Sequence, residues 1–147
     1  MEDRPGTFTV KTLERLLRSQ RAVLGEVEVA LRAAALPPLS WCEALLALQR
    51  VGRAGIRPHA LEPRLLLARD DPSQLLAEIE SAGYLERRPR GGGGRVLVIT
   101  PAGRAILSRI WPVYDTALQG AIGAHMTNAE VAALVEVLGA RMLAPAD

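Results

Sequence analysis

The stretch Ile79-Glu80-Ser81-Ala82-Gly83-Tyr84-Leu85-Glu86-Arg87-Arg88-Pro89-Arg90-Gly91-Gly92-Gly93-Gly94-Arg95-Val96-Leu97-Val98-Ile99-Thr100-Pro101 changes its periodicity three times. A helical rhythm ends at Gly83. Two short β-favouring runs follow, Tyr84 to Arg88 and Arg95 to Ile99, and the proline and glycines between them read as a hairpin with a loose tip. Thr100-Pro101 then has the form of a helix start, a hydroxyl cap followed by proline at the first helical position. Helix, hairpin, helix is therefore the centre of the chain.

Upstream of this centre, Asp71-Pro72-Ser73-Gln74 opens the helix that ends at Gly83, with aspartate as cap and glutamine three residues later. Pro58 suits the start of a short helix over His59 to about Leu66, which Pro63 should kink or cut short by removing an amide donor. Ser40-Trp41-Cys42-Glu43 is a capping-box pattern opening a helix to about Val51, with a turn from Gly52 to Gly55. Thr12 to Ala35 keeps Leu13, Leu16, Leu17, Val23, Leu24, Val27 and Leu31 in helical register until Leu36-Pro37-Pro38 stops it. Downstream, Ile106, Ile110, Val113, Leu118 and Ile122 mark one side of a fifth helix, expected to bend at Pro112. Thr127-Asn128-Ala129-Glu130 opens a last helix carrying Val131, Leu134, Val135, Leu138 and Met142.

The fold class is therefore mainly α with a small β-hairpin. The expected arrangement is one domain, 1–147, with a winged helix-turn-helix core at 39–103 flanked by N- and C-terminal dimerisation helices at 8–36 and 104–147. The outer helices leave apolar stripes that a second copy would cover, so a homodimer is expected.

Composition bounds the function. With 147 residues, 49% hydrophobic and 23% charged, the chain has globular composition with enough apolar content for a core. No apolar run approaches the ~18 residues of a membrane span, and Met1-Glu2-Asp3-Arg4-Pro5-Gly6 lacks the basic-then-apolar order of a secretory signal, so a cytoplasmic protein with no membrane partner is expected. One cysteine and two histidines, His59 and His125, give a poor stock of metal ligands, and neither a metal nor a cofactor is expected. The glycine run is not a phosphate-cradling loop, because Arg95 opens a strand where that loop needs a lysine, a hydroxyl residue and a helix. No nucleophile, base and acid are spaced for catalysis, and an enzyme is not expected. The net charge is only +2, although 17 of the 18 basic residues are arginine, a usage that suits phosphate recognition and also follows genomic base composition.

The residues from Ile79 to Arg88 and from Val96 to Arg104 resemble two segments of the MarR family of bacterial transcription regulators: the "Leu-Glu-x-x-Gly-Leu-Val-x-Arg" exit from the recognition helix and the "Val-x-Leu-Thr-x-x-Gly" strand into the next helix. Leu39-Ser40-Trp41 similarly resembles the family's second-helix entry, and the resemblance runs from Leu13 to Met142. It implies a homodimeric winged-helix protein that binds palindromic operator DNA and is usually released by a small aromatic or phenolic effector or by thiol oxidation.

The resemblance implies that the fourth helix enters the major groove and the hairpin wing the adjacent minor groove. Expected DNA-binding residues are Arg69, Ser73, Gln74, Arg87, Arg88, Arg90 and Arg95: Ser73 and Gln74 as base readers, glutamine suiting adenine, and the arginines of the hairpin as phosphate and minor-groove contacts. Two departures stand out. Arg69 to Glu80 holds one positive and four negative charges, a poor match to phosphate, with Asp71 expected as a cap and Glu78 and Glu80 pointing away from the groove. The wing lacks the family's Asp-x-Arg, glycines standing in its place.

The family's effector cleft lies between the dimer helices and the core. Arg18, Arg21, Trp41, Cys42, Leu45, Trp111 and Tyr114 are the candidates to line it here, against the alternative that both tryptophans are simply core. Cys42 stands in the first turn of a helix, where amides can lower a thiol pKa, but redox-sensing members carry their cysteine in or near the first helix, and an inert buried thiol is expected. The leading reading is a ligand-responsive DNA-binding regulator. The alternative is a protein of the same fold that has lost specific DNA binding and acts through a protein or small-molecule partner; an enzyme built in the cleft is a third, without a visible catalytic set.

Overall fold

The computed structural model describes residues 5–68 and 70–132. Its elements run α1 (Pro5–Ala33), α2 (Leu39–Val51), α3 (Pro58–Leu61), α4 (Pro72–Ser81), β1 (Leu85–Pro89), β2 (Arg95–Ile99) and α5 (Pro101–His125), with 3-10 turns at Gly52–Ala54 and Glu62–Arg64. The chain forms two compact units, one of its two ends (up to Val29 and from Asp115) and one of Ala30–Tyr114.

The second unit holds the helix-hairpin-helix centre. Strands β1 and β2 pair antiparallel with Arg87 opposite Leu97 and Pro89 opposite Arg95. Ile56 joins as a one-residue third strand, its amide donating to the Leu97 carbonyl at 3.1 Å and its carbonyl accepting from the Leu97 amide at 2.8 Å. β2 is thus hydrogen-bonded on both edges, and Val96, Leu97, Val98 and Ile99, which point alternately to opposite faces, are all buried because both faces are covered. Around them Leu45 and Leu48 of α2, Leu61 of α3, Leu76 and Ile79 of α4 and Ile110 of α5 are almost completely covered. Each such side chain contributes about 1.5–3 kcal/mol on leaving water.

The local signals explain most boundaries. Asp71 caps α4, its Oδ1 accepting from the Gln74 amide at 3.0 Å. Pro63 ends α3 as expected, so the helix stops at Leu61 and Glu62–Arg64 tightens into a 3-10 turn. At the start of α5, Thr100 Oγ1 accepts from the Gly103 amide at 3.0 Å and donates to the Gly83 carbonyl at 2.6 Å, tying the exit of α4 to the start of α5. Pro112 lies inside that helix. In the first unit, Thr127 and Glu130 exchange both bonds of a capping box at 3.2 and 3.1 Å. Glu130 also accepts from Arg15 at 2.7 Å, and His125 pairs with Glu26. The expected continuation of the last helix through Leu134, Val135, Leu138 and Met142 lies outside the described residues, and helix is seen at 128–132.

Two expectations are corrected. The first helix begins at Pro5, one turn and more before Thr12, because proline is tolerated in a first turn where its missing amide costs nothing. The box expected at Ser40–Glu43 does not form: Pro38 is the cap residue of α2, with no side-chain cap bond. Glu43 instead reaches residues far along the chain, its two carboxylate oxygens accepting from the amides of Leu66 and Leu67 at 2.6 and 2.8 Å. A carboxylate that satisfies two consecutive loop amides makes two charge-assisted bonds, where the cap offers one. Glu43→Ala should therefore lower stability by about 2 kcal/mol, a fall in melting temperature of about 4–8 °C. Glu43→Gln, which keeps one acceptor oxygen, should fall between Glu43→Ala and the unaltered protein; equal melting temperatures for all three would show that the bonds contribute nothing.

Candidate nucleic-acid interface

Helix α4 has an inner and an outer face. Leu76 and Ile79 are buried, while Ser73, Gln74, Ala77 and Glu78 are exposed at helical spacing, so the two expected base readers share the outward face. Glu78, expected to point away, shares it too. Gln74 Nε2 donates to Glu78 Oε1 at 3.2 Å, the i,i+4 geometry of neighbouring residues on one helix face. Ser73 Oγ donates to Glu62 Oε1 at 2.9 Å.

The hairpin carries its arginines outward. Arg87, Arg88, Arg90 and Arg95 are all exposed, on a strand pair whose buried side chains are Leu85 and the apolar run of β2. Arg87 Nε donates to Glu80 Oε2 at 2.7 Å, and Arg88 pairs with Glu86. Arg90 and Arg95 make no ion pair among the described residues. Arg69 lies outside the described residues.

The acidic character of this region therefore has a definite form: Glu62, Glu78, Glu80 and Glu86 each accept from one of the residues expected to meet DNA. All four contacts are solvent-exposed, and the two arginine pairs are worth at most about 1 kcal/mol each, so a phosphate can replace their carboxylates at small cost.

The wing loop is held by the Arg90 amide on the Gly94 carbonyl at 3.1 Å and the Gly93 amide on the Arg90 carbonyl at 3.2 Å. Gly92, Gly93 and Gly94 have φ of 94°, 92° and 84°, which L side chains rarely adopt, so the glycine run is what permits this turn. Arg57, not anticipated from the sequence, reaches the same loop: Nη2 donates to the Gly93 carbonyl at 3.4 Å. Its signal was available in the run from Ala44 to Leu61, which contains Arg50, Arg53 and Arg57 and no acid.

The residues named for an effector are divided. Arg18 and Arg21 are exposed on α1 in the first unit. In the second, Cys42 and Leu45 face the core, 1% and 0% exposed, and burial pushes the Cys42 thiol up to about 11, so it stays protonated at neutral pH. Trp41 meets Tyr84 edge-on at 6.1 Å. Trp111 is half exposed, stacks on Tyr114 at 5.6 Å, and lines an open groove of about 370 Å³ with Gln49, Leu107, Ser108 and Pro112. Among the described residues no three His, Cys, Asp or Glu side chains gather to hold a metal ion, and no helix is long and apolar enough to cross a membrane.

No protein-family model matches the chain, and no curated protein does. Solved structures do. A MarR family transcriptional regulator from Streptomyces coelicolor, in complex with DNA, superposes with a TM-score of 0.76 at 19% identity, over 99% of this chain and 94% of that one. A mutant MarR from E. coli complexed with operator DNA gives 0.74 at 18%, over 97% and 100%. A MarR-like transcription regulator from Bacillus cereus gives 0.75 at 10%, over 95% and 99%. All three superpose over nearly the whole of both chains, and the fold of this chain is the MarR-type winged-helix fold.

Proposed function

We propose that the protein is a dimeric, DNA-binding transcription regulator that reads duplex DNA with α4 and the hairpin. The observation that carries this reading is the pairing of two exposed surfaces on packed elements: a polar helix face with Ser73 and Gln74, and a hairpin with four outward arginines. A short helix presents hydrogen-bonding side chains to base edges in a major groove, and arginines neutralise phosphate and suit a narrow minor groove. The fold neighbours with DNA support it. Arg69 is retained as a phosphate contact on charge alone.

A homodimer is supported by Val10, Leu17 and Val29 on α1, which are 57%, 49% and 62% exposed and leave apolar surface for a second copy. A two-fold dimer sets two recognition helices on half-sites about one helical turn apart. The expected result is a DNase I footprint upstream of the protein's own gene covering two such half-sites; uniform cleavage across that region would overturn the reading. Regulation by a small aromatic or phenolic effector is supported by the open Trp111 groove, with Tyr114 stacked on that ring; Arg18 and Arg21 stay candidates on α1 by their charge alone. The effector must bind DNA-competent and incompetent dimers with different affinity. In this reading the protein is no enzyme and meets its DNA in the cytoplasm.

The carboxylates on Ser73, Gln74 and Arg87 favour a second reading, loss of DNA binding in favour of another partner. Glu80→Gln separates the two. It removes a negative charge and frees Arg87, so DNA affinity should rise about 3- to 10-fold if α4 and β1 face phosphate. An unchanged affinity would place Arg87 off the interface.

A further inference from the structure

The wing offers glycine amides and carbonyls at its tip but no long side chain, and the segment before α3 supplies one from outside. Gly55, with φ of 69°, lets Ile56 join β2: a Cβ there would lie 2.8 Å from Val96 Cγ2 and 2.9 Å from the Leu97 carbonyl oxygen. Through that join Arg57 arrives beside the wing loop. Its Nη2 donates to the Gly93 carbonyl, and its Nη1 lies so near Gly94 that a Cβ on that residue would stand 3.0 Å away. The guanidinium therefore packs on the loop that Arg90 and Arg95 bracket, Arg95 pairing with Pro89 and the Arg90 amide with the Gly94 carbonyl. Arg57 thus meets a turn that has Arg90 and Arg95 at its two ends, and none of the three forms an ion pair among the described residues. A guanidinium has five donors in a rigid fork, of which the Gly93 bond occupies one.

We propose that Arg57 is a DNA-binding residue of the wing: it holds the glycine loop by the Gly93 carbonyl and presents its remaining N–H donors, beside Arg90 and Arg95, to backbone phosphates where the wing meets the minor groove. The proposal rests on the DNA-binding function above. It accounts for how a wing without an internal acid-arginine brace keeps a defined tip, since glycines otherwise lose much entropy on ordering. A single side chain thus joins the turn after α2 to the wing in one phosphate-facing surface.

The test uses the full-length protein and a fluorescein-labelled 30-base-pair duplex from upstream of its own gene, titrated by anisotropy at several salt concentrations. Arg57→Ala and Arg57→Gln should both weaken binding and reduce the slope of log K against log salt by about 0.9 for each Arg57 engaged, about 1.8 in a two-fold dimer. Arg57→Lys should keep the slope and lose affinity, because one ammonium cannot grip the Gly93 carbonyl and a phosphate as a fork does. A purely bracing role would change affinity for all three with no change of slope, and that result overturns the proposal, as does an Arg57→Gln protein that melts like the unaltered protein and binds with its affinity and slope. Absence of salt-dependent binding by the unaltered protein would overturn the DNA-binding function itself, and the inference with it.

Discussion

Gly103→Ala should lower the melting temperature by about 6–12 °C. A Cβ on Gly103 would stand 2.2 Å from the Tyr84 carbonyl oxygen and 2.8 Å from Ile99 Cγ1. The first of these neighbours is backbone and cannot swing aside. That carbonyl also accepts from the Thr100 amide at 3.1 Å, and Thr100 in turn caps α5 through the Gly103 amide. Relieving the clash therefore moves the start of α5 away from the exit of α4 and breaks the small network that joins them. Overpacking of this kind costs about 1–3 kcal/mol, and with backbone as the obstacle the upper end applies, which for a chain of this size converts to the stated fall. Thermal unfolding followed by circular dichroism measures it. A melting temperature within about 2 °C of the unaltered protein would show that the junction yields more easily than its geometry implies. The same contact explains why a Thr-x-x-Gly spacing follows the wing: threonine closes the helix end and glycine leaves room for the preceding turn.

The second large effect is on DNA. Arg90→Ala with Arg95→Ala removes two exposed arginines that have no acidic partner among the described residues and that flank the tip of the hairpin. In the proposed dimer four positive charges leave the interface. The salt slope of duplex binding should fall by about 3.6, and the dissociation constant in low salt should rise at least about tenfold. Arg90→Lys with Arg95→Lys should preserve most of the slope, since charge rather than shape sets counterion release. A slope unchanged by the alanine pair would remove the wing from the interface. Because both residues lie on the surface, neither pair should alter thermal stability by more than about 0.5 kcal/mol.

The parts of this molecule that were readable from sequence are those decided by neighbours in the chain. Asp71 before Pro72, Thr127 before Glu130 and Pro63 inside a short helix act within one turn, and each produced the element end its chemistry requires. The hairpin was equally local, two β-favouring runs and a glycine turn. Interactions between distant residues were not readable. Glu43 had the right spacing for a cap with Ser40, yet its carboxylate meets amides 23 and 24 residues away, and nothing in the local pattern favours one over the other. Arg57 touches Gly93 across 36 residues, a contact created only when Ile56 pairs with Leu97. Glu78 illustrates a third case. Its place on the outer face follows from helical spacing to Gln74, whereas the expectation that it points away rests only on its lying further along the helix. The exposure of Ser73, Gln74 and the hairpin arginines was thus legible from local spacing, whereas Arg57 and the pairings with carboxylates were not.

The central claim is that α4 and the wing bind duplex DNA with sequence preference despite the carboxylates among them. The most direct measurement is an anisotropy titration of the purified protein against the duplex upstream of its own gene and a scrambled duplex of equal composition, at 50 and 200 mM salt. The account predicts tighter binding to the upstream duplex by a factor of about 10³ or more, weakening steeply as salt rises. Equal affinities for the two duplexes at low salt, or affinities indifferent to salt, would contradict it and leave the fold serving another partner.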